Sequence, residues 1–224
     1  MAYNLHTYFA QRFEKTNAPH TKSGPFITIS RQTGCNGTGI ARELVKALKN
    51  YNLKWKFINK EILEDSANKL KLDPSKIKYV FDTKKWSHAD DVISALSNRY
   101  YKSDKVIRKT ITQVLRHYAI DGNIIMVGRA GVATTENIAG GLHLRLTAPY
   151  EWRVSSLKRR KAFESIDAHK FIKQHDKKKQ QLIVDFCGKS INEIYFDLTI
   201  NCASFSRQQL IELVIQAMKM KNMI

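Results

Sequence analysis

Between a β-branched run, Phe26-Ile-Thr-Ile-Ser30, and an apolar-periodic helix beginning near Ile40, the chain carries Arg31-Gln-Thr-Gly-Cys-Asn-Gly-Thr-Gly39. Glycines at a strand-to-helix turn let backbone N–H groups approach an anion closely, and the positive end of the helix favours negative charge there. The segment therefore reads as a phosphate cradle, with Gly34, Cys35, Asn36, Gly37, Thr38 and Gly39 as candidate binding residues. The usual phosphate-loop signature, G-x-x-x-x-G-K-[ST], adds a lysine for the outer phosphates and a hydroxyl for Mg²⁺. Aligned by strand and helix, the lysine position falls on Gly37. Thr38 is then the nearest hydroxyl and the candidate metal contact, and Arg31 is the nearest cation. Taken alone, the loop reads equally as a tight βα turn with no ligand.

Two further sets of cations fit the same chemistry. Arg129 follows Ile124-Ile-Met-Val-Gly128, a run apolar on both faces, as expected of a central parallel strand whose carboxyl end faces a ligand crevice. A guanidinium there suits a phosphate or carboxylate, or else a structural ion pair. After Pro149, Arg153 and Arg160 fall on nearly the same helix face with Arg159 beside them, and Lys177, Lys178 and Lys179 follow. Phosphoryl transfer spreads charge over the transferring oxygens, so mobile basic residues would serve as a lid over about residues 150–185. A solvated helix face is the plainer alternative.

The elements that must position these residues are legible from periodicity. Ile40, Leu44, Ala47 and Leu48 make a core-facing helical stripe, and Trp55, Phe57 and Ile58 a second strand that leads into a helix from about Lys60 to Leu70. Val106, Ile107, Ile111, Val114, Leu115 and Tyr118 form another stripe, stopped at Gly122. With residues 73–101 it is read as a mostly helical insertion over about 73–121. His143–Thr147 and Leu198–Asn201 complete five strands, and Ser206 with Gln209 makes a capping box before a closing helix. Strands alternating with helices predict a doubly wound parallel sheet in a single domain over residues 1–224.

Lys plus Arg number 38 against 20 Asp plus Glu, a formal net charge of +18, which favours a polyanionic partner. The basic residues are dispersed, unlike a nucleic-acid arm, so nucleic acid is not the expected partner. Three well-separated cysteines, Cys35, Cys187 and Cys202, show no metal spacing and suggest a reducing compartment. Neither a signal pattern nor a membrane-length apolar run is visible, which leads to the expectation of a cytoplasmic protein with no membrane partner. The histidines show no metal-ligand spacing.

Five stretches, in order and spacing, resemble the cytidylate kinase-like family: Ile27-Thr-Ile-Ser-Arg-Gln32 with its glycines, Phe57-Ile-Asn-Lys-Glu-Ile62, Ile125-Met-Val-Gly-Arg129, Asp176-Lys177 and Tyr195-Phe-Asp-Leu-Thr-Ile-Asn201. The resemblance implies a P-loop kinase fold with a helical lid, in which the loop holds the phosphates of ATP with Mg²⁺. It also implies that the region after strand two, with Asn59 and Lys60, and Arg129 face the acceptor under a basic lid that carries Arg153 and Arg160. Arg31 is the candidate cation in place of the missing lysine, and Asp197 is a candidate substrate residue that reads equally as a metal, ribose or lid contact or as a strand-entry residue. The sequence departs from cytidylate kinases where it reads Gly128-Arg129-Ala130 in place of G-R-D, and where the motif after strand two lacks its arginine.

Three function classes follow. The first is ATP-dependent phosphoryl transfer to a small phosphorylated acceptor, a nucleoside monophosphate such as CMP or dCMP being the first choice. The second is a nucleotide-binding regulatory protein without efficient transfer, favoured by the missing lysine. The third is a nucleic-acid-binding protein. Oligomeric state is not legible.

Overall fold

The computed structural model describes residues 23–51, 53–59, 61–71, 104–160, 167–188, 190, 192, 194 and 196–224. Lys60, Tyr195 and the 73–103 part of the expected insertion lie outside these residues. Five strands form one sheet: β1 (Phe26–Arg31), β2 (Lys56–Ile58), β3 (Ile124–Val127), β4 (Gly141–Thr147) and β5 (Leu198–Asn201). Their order is β2-β3-β1-β4-β5 and every pairing is parallel, with Ile27 opposite Ile125 on one side and Leu142 on the other.

Alternation along the strands gives each face its own core. Ile27, Ile29, Val127, Leu144 and Leu146 pack under helices α1 (Gly37–Leu48) and α7 (Arg207–Met220). Phe26, Ile124 and Met126 point the other way, against α2 (Glu61–Leu70) and α3 (Asp104–Asp121). Residues 104–121, read from sequence as the end of an insertion, therefore cover the sheet. Ile107, Ile111 and Leu115 are at most 2% exposed, which is why their stripe was so regular.

Helix α1 begins at Gly37, earlier than its apolar stripe, because Asn36 caps it: Asn36 Oδ1 accepts from Gly39 N–H at 3.0 Å. Periodicity registers buried side chains and does not register a cap. At the other end of the chain Ser206 and Gln209 form the capping box that the sequence predicts. Short α4 (Gly131–Thr135) follows β3, while α5 (Tyr150–Lys158) and α6 (Ala168–Cys187) occupy the expected lid region. Among the described residues no helix is long and apolar enough to cross a membrane.

Candidate functional site

In a parallel sheet the loops after β1 and β3 emerge at the same carboxyl edge, and here those two strands are neighbours. The first loop is tied down by its own chain. Gln32 N–H continues the ladder to Leu146 O at 3.0 Å, Cys35 N–H reaches Gln32 O at 3.2 Å and Gly37 N–H reaches Cys35 O at 3.0 Å. Thr33 N–H donates to Asp176 Oδ1 of α6 at 2.7 Å. Of the candidate binding residues, Cys35 and Gly37 thus have their main-chain donors engaged from within, as does Gly39 at Asn36 Oδ1, and the adjoining Thr33 N–H is taken by a carboxylate.

Two of the glycines meet side chains that the sequence did not suggest. Gly34 (φ 101°) lies against α5, where a Cβ would sit 2.7 Å from Arg153 Cβ. Gly37 leaves room for Arg31: a Cβ there would meet Arg31 Cδ at 3.3 Å. The Arg31 stem therefore crosses the backbone position where the usual signature has its lysine. Its guanidinium ends over Gly128, at which a Cβ would lie 1.8 Å from Arg31 Nη1.

Around that guanidinium the structure gathers cations. Burial, and then the charge of Arg129, lower the Arg31 pKa to about 10. Burial and then Arg31 bring the Lys179 amine down to about 8, against the opposing pull of Asp176. Lys179 Nζ donates to Thr33 Oγ1 at 2.6 Å and stands 3.6 Å from Asp176 Oδ1. Desolvated like charges repel, so Arg31, Arg129 and Lys179 together form a place that an anion would stabilise.

The β3–α4 turn contributes its own constraint. Gly128, Arg129 and Ala130 take φ of 71°, 56° and 57° in succession. For the two non-glycine residues the left-handed region costs about 1–2 kcal/mol each. The turn is held by Gly131 N–H to Gly128 O at 2.9 Å, by Thr134 Oγ1 to Gly131 O at 3.0 Å, and by burial of Ala130. Strain maintained beside a ligand crevice is characteristic of functional turns.

The lid arginines divide into different roles. Arg153 is 7% exposed and donates through Nη1 to Thr33 O at 3.2 Å and Asp176 Oδ2 at 2.5 Å. The expectation of a mobile phosphate-seeking cation does not hold for it, since a buried charge must be paired and Asp176 pairs it. Arg160 Nη2 donates to Gly34 O at 2.7 Å, and Ser156 Oγ reaches the same carbonyl at 3.0 Å. These helices therefore clasp the loop directly.

Asn59 follows β2 at the crevice edge and Thr38 lies half-buried in the first turn of α1. Asp197 is elsewhere. It stands at the amino end of β5, accepting from His143 N–H at 2.6 Å and pairing with Lys221 at 2.6 Å. In a parallel sheet that end is remote from the crevice, so the expected acceptor contact is not made; its carboxyl is held below its usual range by these hydrogen bonds despite opposing burial. Sequence reasoning missed the Asp176–Thr33 contact and gave Lys179 no special place among its neighbours. The available signal was their i, i+3 spacing on one helix face.

On the far side of the loop a pocket of about 310 Å³ is lined by Asn36, Trp152, Arg159, Phe205 and Arg207 among others. It offers two aromatic surfaces and basic groups next to the start of α1.

A five-stranded parallel sheet in this order, covered on both faces and carrying a glycine-bearing loop at the end of its central strand, defines a P-loop kinase fold. The chain belongs to the cytidylate kinase-like family, whose profile matches residues 26–204. Membership places it among kinase-like proteins, whose general chemistry is nucleotide-dependent phosphoryl transfer. An uncharacterized protein from Eubacterium ventriosum shares the fold at TM-score 0.60 and 14% identity, over 87% of this chain and 98% of that one. A shikimate kinase from Acinetobacter baumannii, solved with shikimate, aligns at TM-score 0.46 and 14% identity, over 91% and 97%. A shikimate kinase from Bacteroides thetaiotaomicron aligns at TM-score 0.48 and 9% identity, over 89% and 99%. No curated protein matches the sequence.

Proposed function

We propose that the protein transfers the γ-phosphoryl group of ATP to a small phosphorylated acceptor, a nucleoside monophosphate such as CMP or dCMP. The observation that carries this reading is the cluster of Arg31, Arg129 and Lys179 at the carboxyl edge of β1 and β3, where burial and mutual repulsion depress two of the three cations. Buried like charges brought this close are stabilised by an anion with several oxygens. The 310 Å³ pocket would receive the donor's base against Trp152 and Phe205.

Arg31 and Lys179 neutralise the outer phosphates of the donor, and Arg129 holds the acceptor's phosphate through its planar fork. An oxygen of that phosphate attacks the γ-phosphorus while the bond to the ADP oxygen breaks. No general base is required, since the acceptor oxygen is already ionised; catalysis is positioning and charge neutralisation. Among the described residues no group of three metal-ligating side chains occurs. That fits Mg²⁺, which is carried largely by nucleotide phosphates and needs few protein ligands. Thr38 is the residue assigned to it, and the ion would supply further charge neutralisation. The free thiols suit a reducing compartment such as the cytoplasm.

A coupled assay over a panel of nucleoside monophosphates and small alcohols tests the proposal. At least one monophosphate should be turned over, and Arg129→Ala should raise its KM by roughly tenfold, the loss of about 1.5 kcal/mol from one charge-assisted hydrogen bond. Unchanged acceptor KM in that variant would remove Arg129 from the role. The occupation of Thr33 N–H by Asp176 favours a second reading, a nucleotide-binding protein without transfer. ATP binding with silence across the whole panel would select it.

Lys179 gives the site a pH signature. With its pKa at about 8, it keeps its charge below that pH and loses it above. One unit higher only about a tenth of the amines remain charged, so ATP affinity should weaken as pH rises through 8. Folding responds in the opposite sense. The folded value lies below the ordinary 10.5, so the cost of burying the charged amine is present below about pH 8 and is relieved as pH climbs from there toward 10.5. Titration calorimetry across this range should show the weakening in wild type and a flatter profile in Lys179→Arg, whose guanidinium stays protonated. A wild-type affinity constant through pH 8 would count against Lys179 as a phosphate ligand.

A further inference from the structure

Asp176 interrupts a basic run on α6 that extends from Lys173 to Lys179. Its carboxylate is turned onto the loop after β1. Oδ1 accepts from Thr33 N–H at 2.7 Å, Oδ2 accepts from Arg153 Nη1 at 2.5 Å, and Lys179 Nζ stands 3.6 Å from Oδ1. A main-chain N–H, a guanidinium and an ammonium around anionic oxygens are the donors that a phosphate takes at a strand-to-helix loop. Burial would raise the Asp176 pKa, yet the hydrogen bonds from Thr33, the charge of Lys179 and the Arg153 contact bring it below its usual range. The loop thus holds an anion that belongs to its own chain.

The bond to Thr33 differs from the others that occupy the loop. Cys35 and Gly37 N–H are bonded to loop carbonyls and Gly39 N–H to the cap of its own helix, so releasing them would remodel the backbone. Thr33 N–H is bonded to a side chain from another element. Rotation of Asp176 about its own side-chain bonds frees it, and with 21% exposure that side chain has water to turn into. The same rotation takes the carboxylate away from Lys179, which stays anchored to the loop through Thr33 Oγ1 at 2.6 Å.

We propose that Asp176 is an autoinhibitory contact: its carboxylate stands where an outer phosphate of a nucleotide binds, and the polyphosphate enters by displacing it. The inference rests on the reading that this crevice holds phosphates. A triphosphate brings several negative charges against the single charge of the carboxylate, so Arg31, Arg129 and Lys179 together favour the exchange. Arg153 keeps its bond to Thr33 O at 3.2 Å, and the incoming oxygen replaces the carboxylate as partner of its buried charge. Displacing Asp176 costs free energy, so the apparent affinity falls below that of a crevice without the carboxylate. Nucleotide binding is thereby coupled to the hold of α6 on the loop, since phosphate and carboxylate exclude each other at Thr33 N–H.

Asp176→Asn keeps the size of the side chain and an oxygen for Thr33 N–H, and removes the charge. Titration calorimetry on the full chain at pH 7 uses two probes, ATP and inorganic tripolyphosphate, the second of which needs no pocket for a base. The variant should bind both more tightly, on the order of tenfold, as when the competent fraction of molecules rises from about a tenth to nearly all. A carboxylate that only supports the fold predicts weaker or unchanged binding. That result overturns the proposal, while binding of the probes by wild type leaves the phosphate reading standing. Silence of both proteins toward both probes overturns the two together. Should the variant not fold, a crystal structure of wild type with tripolyphosphate decides. A phosphate oxygen on Thr33 N–H with Asp176 turned away bears the proposal out; tripolyphosphate in the crevice with Asp176 still on Thr33 N–H contradicts it.

Discussion

Arg31→Ala should lower turnover by about 10²- to 10³-fold while the protein stays folded, the scale seen when a donor to transition-state charge is removed. The residue lies at the end of β1, half-buried, with its stem against Gly37 and its guanidinium over Gly128. Both glycines are occupied as space: each would place a Cβ within 3.3 Å or less of the Arg31 side chain. The missing loop lysine and Arg31 are therefore neighbours in space, since a side chain at position 37 would start against the Arg31 stem. Gly37→Lys should consequently impair wild type by crowding Arg31, and should restore part of the lost turnover only in the Arg31→Ala background. Steady-state kinetics on the four proteins checks this. Improvement of wild type by Gly37→Lys would show that no cation had been supplied.

Arg153→Ala should cost about 3 kcal/mol of stability, the lower end of what breaking a buried ion pair costs, because the Asp176 side chain keeps 21% exposure. The variant leaves Asp176 without its guanidinium and Thr33 O without its donor, and it removes the packing of the Arg153 stem against Gly34. Denaturant unfolding should show the midpoint falling with little change in slope. Asp176 adds an acid dependence. Its pKa is lowered because hydrogen bonds from Thr33, the charge of Lys179 and the Arg153 contact together outweigh the burial that would raise it. Its contribution is present above the ordinary carboxylate range and is lost as pH falls through the lowered value. If Arg153→Ala unfolds at the wild-type midpoint, the clasp between α5, α6 and the loop contributes nothing measurable.

The strands and covering helices were legible because burial imposes periodicity. The stripe Ile107, Ile111, Leu115 reveals its face directly, while Phe26–Ile29 and Ile124–Val127, buried on both faces, stand out as short continuous runs. The glycine loop was legible in place but not in purpose. Gly34 accommodates Arg153 and Gly37 accommodates Arg31, contacts made by side chains whose approach no local pattern records. For the same reason Arg153 looked like a surface cation, since a charged residue on a helix reads identically whether it meets solvent or a carboxylate. Asp176 and Lys179 reach Thr33 across 143 and 146 positions of sequence, so only the fold could join them. Asp197 directly precedes the strand read at Leu198–Asn201, so its place at the amino end was legible, whereas its partners His143 N–H and Lys221 come from distant parts of the chain and were not.

The central claim is that the Arg31, Arg129 and Lys179 crevice holds the phosphates of a nucleotide, with Arg31 acting where the loop lysine is missing. A crystal structure with a non-hydrolysable ATP analogue and a nucleoside monophosphate tests it most directly. The account predicts outer-phosphate oxygens within hydrogen-bonding distance of the Arg31 guanidinium and Lys179 Nζ, the acceptor phosphate on Arg129, and the donor base against Trp152 and Phe205. Phosphates bound outside this crevice, with Arg31 still lying over Gly128 and touching no ligand, would contradict it.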